Sequence, residues 1–60
     1  MKITIYKKDN IILHKNDVHE IEQLYDRIRQ KDFLYIRYYD YLSPTTIALE
    51  DIEEIKVRGD

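Results

Sequence analysis

Residues 17–31, DVHEIEQLYDRIRQK, decide how this chain is read. Val18, Ile21, Leu24, Tyr25 and Ile28 follow one another at spacings of 3, 3, 1 and 3. On a helix these positions form one apolar stripe. Asn16 or Asp17 can cap the start, and Asp17 with Glu20 three residues on resembles a capping box. Acids come early and Arg27, Arg29 and Lys31 come late, as a helix dipole prefers. The spacing therefore predicts a helix over 17–31. Asp26 fits no part of this scheme and is assigned to the wet side.

A second reading starts from an internal echo. Asp17-Val18-His19-Glu20-Ile21-Glu22 resembles Asp51-Ile52-Glu53-Glu54-Ile55-Lys56, each copy following an apolar run. A true duplication would make residues 18–25 a strand and the fold all-β.

The flanks read as strands. Residues 2–7 alternate, with Ile3 and Ile5 set against Thr4 and Tyr6. Residues 11–15 form a second short apolar run after the turn signal Lys8-Asp9-Asn10. A three-residue loop pairs Ile5 with Leu13 and Lys7 with Ile11, which keeps Ile3, Ile5, Ile11 and Leu13 on one side. Asn10 then takes the left-handed position that Asn tolerates. Residues 33–40 alternate again, with Leu34, Ile36 and Tyr38 inward. Tyr41 to Pro44 turns the chain, with Tyr41 at the turn. Residues 45–49 and 54–58 complete a meander, with Ile47, Leu49, Ile55 and Val57 inward and Ile52 plugging the turn between. Ser43, Pro44 and Gly59 could instead frame a helix, but the β-branched start and the alternation favour strands.

The expected fold is α+β. It has a small antiparallel sheet of about five strands in the order ββαβββ, with one helix packed on one face. The alternative is an all-β, six-stranded duplicated meander or barrel. Residues 1–60 make a single small domain.

Nineteen residues are Ile, Leu, Val, Phe or Met, and ten of these are Ile. That supplies one thin core layer and little room to enclose a substrate. A chain of this length buries only about 60% of the surface its unfolded form exposes. With no cysteine there is no disulfide to staple it. Small domains of this kind gain stability by association, so a homodimer or a complex is expected. The start, MKITIYKK, reads as neither a signal peptide nor a membrane span, and with the lack of cysteine it favours the cytoplasm. Many Ile, Lys and Tyr beside little Ala and Gly suggest an AT-rich coding sequence of bacterial or phage type.

Net charge is −2. Glu50, Asp51, Glu53 and Glu54 crowd together, as in a solvated acidic turn; the sharper reading is a patch that meets a basic partner or mimics nucleic acid. Catalytic chemistry finds no support. The single serine, Ser43, precedes a proline, and there is no cysteine nucleophile. His14 and His19 are five apart, a spacing that puts two metal ligands on neither a helix face nor a strand face. The one glycine, Gly59, permits no phosphate loop. Arg58-Gly59-Asp60 reads as a chance tripeptide at a frayed end. No enzyme activity, cofactor, metal or small-molecule substrate is expected.

Residues 33–42, FLYIRYYDYL, hold four of the six tyrosines. Alternation puts Tyr35, Arg37 and Tyr39 on the face away from the core. With all strands in one sheet, Tyr6, Ile12, His14, Lys56 and Arg58 share that face. Tyr with Arg is the pairing in which binding surfaces are enriched. The expectation is a non-enzymatic protein-interaction module that uses Tyr6, Tyr35, Arg37 and Tyr39. It would be a small phage- or plasmid-type regulator or inhibitor, or a self-associating protein. Single-stranded nucleic acid on the same face is the alternative. Against it stand the negative net charge and the lack of an evident basic groove.

Overall fold

The computed structural model describes residues 1–40 and 43–59. Tyr41, Leu42 and Asp60 lie outside the described residues, and with them the turn position of Tyr41 and the end of the terminal tripeptide. Among the described residues the chain forms six strands: β1 (Lys2–Lys7), β2 (Ile12–Lys15), β3 (Val18–Asp26), β4 (Lys31–Tyr38), β5 (Thr45–Ala48) and β6 (Ile52–Arg58). A short 3-10 turn, Leu49–Asp51, joins β5 to β6. All pairings are antiparallel, in two three-stranded sheets of order β2-β1-β6 and β3-β4-β5.

The expected α+β fold is therefore overturned: residues 18–26 are strand, and among the described residues no long helix covers a sheet. The physical reason is a β-bulge. Val18 lies opposite Tyr38 and Glu20 opposite Arg37, so His19 is one residue too many in its ladder. A regular strand sends residues three apart to opposite faces. The extra residue returns Ile21 to the side of Val18. A spacing of three that imitates a helix is thus produced by a bulged strand. The rest of the supposed stripe never enters the core, since Leu24, Tyr25 and Ile28 are exposed. Asp26, unexplained on a helix, anchors the β3–β4 turn. Its Oδ1 accepts the N–H of Ile28 at 2.9 Å and of Arg29 at 3.1 Å, and Gln30 closes the turn at φ 56°.

The echo between residues 17–22 and 51–56 falls on equivalent places. β1, β4 are the central strands; β2, β5 are their hairpin partners; β3, β6 each cross to the other sheet. The bulge recurs as well. Tyr6 pairs with Glu54 and Lys7 with Ile52, which leaves Glu53 as the extra residue of β6. Two matching hydrogen bonds tie the halves together: Lys8 N–H donates to the Asp51 carbonyl, and Tyr39 N–H to the Asp17 carbonyl, each at 3.0 Å. The outcome is two separate sheets, not one continuous meander.

The β1–β2 hairpin has the expected register. Ile5 pairs with Leu13, Lys7 N–H donates to the Ile11 carbonyl at 2.9 Å, and Asn10 sits at φ 69°. The core between the sheets is Ile3, Ile5, Val18, Leu34, Ile36 and Ile47, with Leu13, Ile21, Tyr38, Leu49, Ile52 and Ile55 packed at its margin. Ile11 and Val57, expected inward, are exposed: Ile11 lies in the turn before β2, and Val57 lies near the end of the edge strand β6. Ile52 opens β6 instead of plugging a turn. Val18 also bridges the layers: its N–H donates to the Met1 carbonyl at 2.9 Å, and its own carbonyl accepts the Met1 amino group at 2.8 Å.

The bulge makes a sharp prediction. Deleting His19 restores strict alternation and turns Val18 out of the core, forfeiting about 1.5–3 kcal/mol of burial together with the Met1 bridge. Against the roughly 3–9 kcal/mol expected for a domain of sixty residues, urea denaturation should show a large loss. His19→Ala keeps the residue count and should retain most of the stability.

Candidate protein-binding face

The outer face of the β3-β4-β5 sheet is built around β4. Its outward residues are Phe33, Tyr35 and Arg37, which lie opposite Leu24, Glu22 and Glu20 on β3. On the other flank Phe33 faces Ala48, and Tyr35 faces Thr46. Phe33 is buried although it points away from the main core. Two cations cover its ring, with the Arg29 guanidinium 5.1 Å and the Lys31 ammonium 5.6 Å from the centroid. Lys31 is held there by Glu50, whose carboxylate accepts from it at 3.0 Å. Arg37 lies over Tyr35 at 5.3 Å.

Beyond Phe33 the sheet narrows to two strands, because β5 pairs only with Phe33 to Ile36. The β3–β4 hairpin therefore projects past its neighbours. Its side chains are Leu24, 46% exposed, Tyr25, 60% exposed, and Ile28, 95% exposed. They adjoin an open depression of about 580 Å³ that runs from Leu24 and Ile28 to Phe33, Tyr35 and Thr46. Arg27 and Arg29 stand at its rim.

The four residues expected on one face are divided by the two-sheet arrangement. Tyr35 and Arg37 are together. Tyr39 lies just past β4, 70% exposed, with its ring 4.7 Å from that of His19. Tyr6 is on the outer face of the other sheet, where the Lys56 ammonium lies 5.4 Å from its ring. Leu24, Tyr25 and Ile28 were absent from the expected face because a helical reading sent them inward. The signal that could have found them is Asp26 followed by Ile28 and Arg29, an Asx turn at a hairpin tip.

Electrostatics at the edge of this face are unbalanced. Glu22 titrates above the ordinary carboxylate range. A hydrogen bond with Glu20 is the largest cause, followed by the repulsion of its charge and by desolvation, while Arg37 pulls the other way. Among the described residues no group of His, Cys, Asp or Glu could hold a metal ion, and no polar or charged side chain is buried.

The fold and this face define a small all-β protein of two three-stranded sheets with a projecting hairpin that exposes Leu24, Tyr25 and Ile28 among charged residues. Comparison with protein-family models, curated proteins and solved structures finds no match to the chain.

Glu22 supplies a pH test. A carboxyl with a raised folded-state pKa adds stability when protonated and loses it as pH rises through that pKa. Glu22→Gln should therefore melt higher than the parent at neutral pH, and the gain should vanish in acid. An equal gain at every pH would show that Glu22 acts through packing instead.

Proposed function

We propose that this chain is a non-enzymatic protein-interaction module, with the β3–β4 hairpin and the adjoining Tyr35–Arg37 face as its contact surface. The observation that carries this reading is the hairpin tip. Ile28 is almost wholly in water and shares the depression with half-exposed Leu24, while Tyr25, also exposed, alternates to the other face of the hairpin. A contiguous patch of that kind, rimmed by polar groups, is what interaction sites present. Tyr and Arg supply the anchoring chemistry, and Arg27 and Arg29 at the rim suit a partner with carboxylates. A second copy of the chain can provide these through Glu50, Asp51, Glu53 and Glu54, so a homodimer is the simplest assembly. A small regulator or inhibitor acting on another protein uses the same surface.

The non-enzymatic reading rests on chemistry. No described titratable group sits in the dry surroundings that tune an acid or base. Among the described residues no helix is long and apolar enough to cross a membrane. A cytoplasmic setting of bacterial or phage type agrees with the lack of cysteine.

Light scattering after size exclusion and a pull-down test the proposal. Ile28→Asp alters an exposed position, so its stability should stay within about 0.5 kcal/mol of the parent. Self-association or partner capture should fall at least tenfold, and Tyr35→Ala with Arg37→Ala should weaken it further. A parent chain that stays monomeric at high concentration and captures nothing would remove the proposal.

A further inference from the structure

We propose a second site on the outer face of the β2-β1-β6 sheet, one that takes the phosphate backbone of a single-stranded nucleic acid. This face is the topological counterpart of the hairpin face, but its residues differ in kind. Lys2 lies directly opposite Arg58, and Thr4 opposite Lys56 on one side and His14 on the other. Together they line an open depression of about 400 Å³, with no carboxylate among the described residues of its lining. Thr4 Oγ1 and His14 Nδ1, 3.4 Å apart, form part of it.

Two features point to an anion. Like charges placed directly across a ladder are destabilising, so Lys2 facing Arg58 costs the free protein stability that a bound phosphate restores. The cations are also stepped along β6, at residues 56 and 58. Two residues of strand span roughly 6.6 Å, comparable with the spacing of successive phosphates on one nucleic-acid strand. The other end of the face selects the kind of strand. Tyr6 pairs with Ile12, which is half exposed, and so sets an aromatic and apolar end beside the cationic one. Unstacked bases use such a surface, whereas a duplex keeps its bases inside. Glu54, opposite Tyr6, is a carboxylate on this side and opposes the site.

Fluorescence anisotropy with a labelled oligothymidylate tests the site on the intact chain. Three phosphate contacts give a slope of log affinity against log salt of roughly −2, at about −0.7 per contact for a single strand. Lys56→Ala with Arg58→Ala should reduce the slope to roughly −0.7. Lys8→Ala, an equal charge change outside the depression, should not match the loss from Arg58→Ala alone. Glu54→Gln should tighten binding, a gain that misfolding cannot imitate, and thermal melts check that each variant is folded. The proposal fails if the intact protein does not bind at low salt, if Lys8→Ala is as damaging as Arg58→Ala, or if a duplex of equal length binds as tightly. Binding here with the hairpin variant Ile28→Asp left unable to associate separates this site from the protein-binding face.

Discussion

The unpaired residue in each third strand, His19 in β3 and Glu53 in β6, governs which side chains meet between the sheets. Upstream of it, Val18 and Ile52 point to the core; downstream, Ile21 and Ile55 do the same. Without the extra residue one of each pair would face water, because the faces of an unbulged strand alternate. The bulge also increases local twist. It lies where each strand leaves its own half to join the other sheet. There the chain is held by the paired hydrogen bonds from Lys8 to Asp51 and from Tyr39 to Asp17. The core that results is thin: among the described residues eight hydrophobic ones are buried, and six form one cluster. Its members come from both halves, so neither half has a core of its own.

Most strands were legible in the sequence because their alternation is regular. Ile3 and Ile5, Leu34 and Ile36 could be assigned to the core without a structure. The β1–β2 register was legible too, since only one loop length kept apolar residues on one side. Residues 17–31 were not. Helix and bulged strand give the same spacing of Val18 and Ile21, and the acids and bases near the ends agreed with either. The decisive difference lies outside the segment. Arg37, Ile36 and Tyr35 must pair with something, and β3 supplies the partner strand. Local periodicity carries no information about that need. The echo with residues 51–56 did carry some, because a repeated segment tends to fill repeated places.

The candidate site was half legible. Tyr35 and Arg37 share a face through alternation alone. Tyr6 could not be separated from them while all strands were placed in one sheet, since the number of sheets depends on where β3 and β6 cross over. The hairpin tip was hidden by the same ambiguity that hid β3. Its exposed apolar residues, Leu24, Tyr25 and Ile28, are sent to the core by default on a supposed helix. The structure thus divides one imagined surface into two. One is aromatic and apolar with an arginine rim; the other is cationic with a single tyrosine.

The pairing of β1 with β6 has a further consequence, in time. Lys2 waits for Arg58, and Ile3 for Val57. During synthesis β1 and β2 can form their hairpin early, and β3, β4 and β5 can complete the second sheet. The first sheet still has an open edge, and the core face of β1 stays partly uncovered, until the residues of β6 have left the ribosome. Contacts so distant along the chain are slow to form. Of these six strands the first is therefore enclosed only when the sixth is available, and until then β1 presents an unfinished sheet edge.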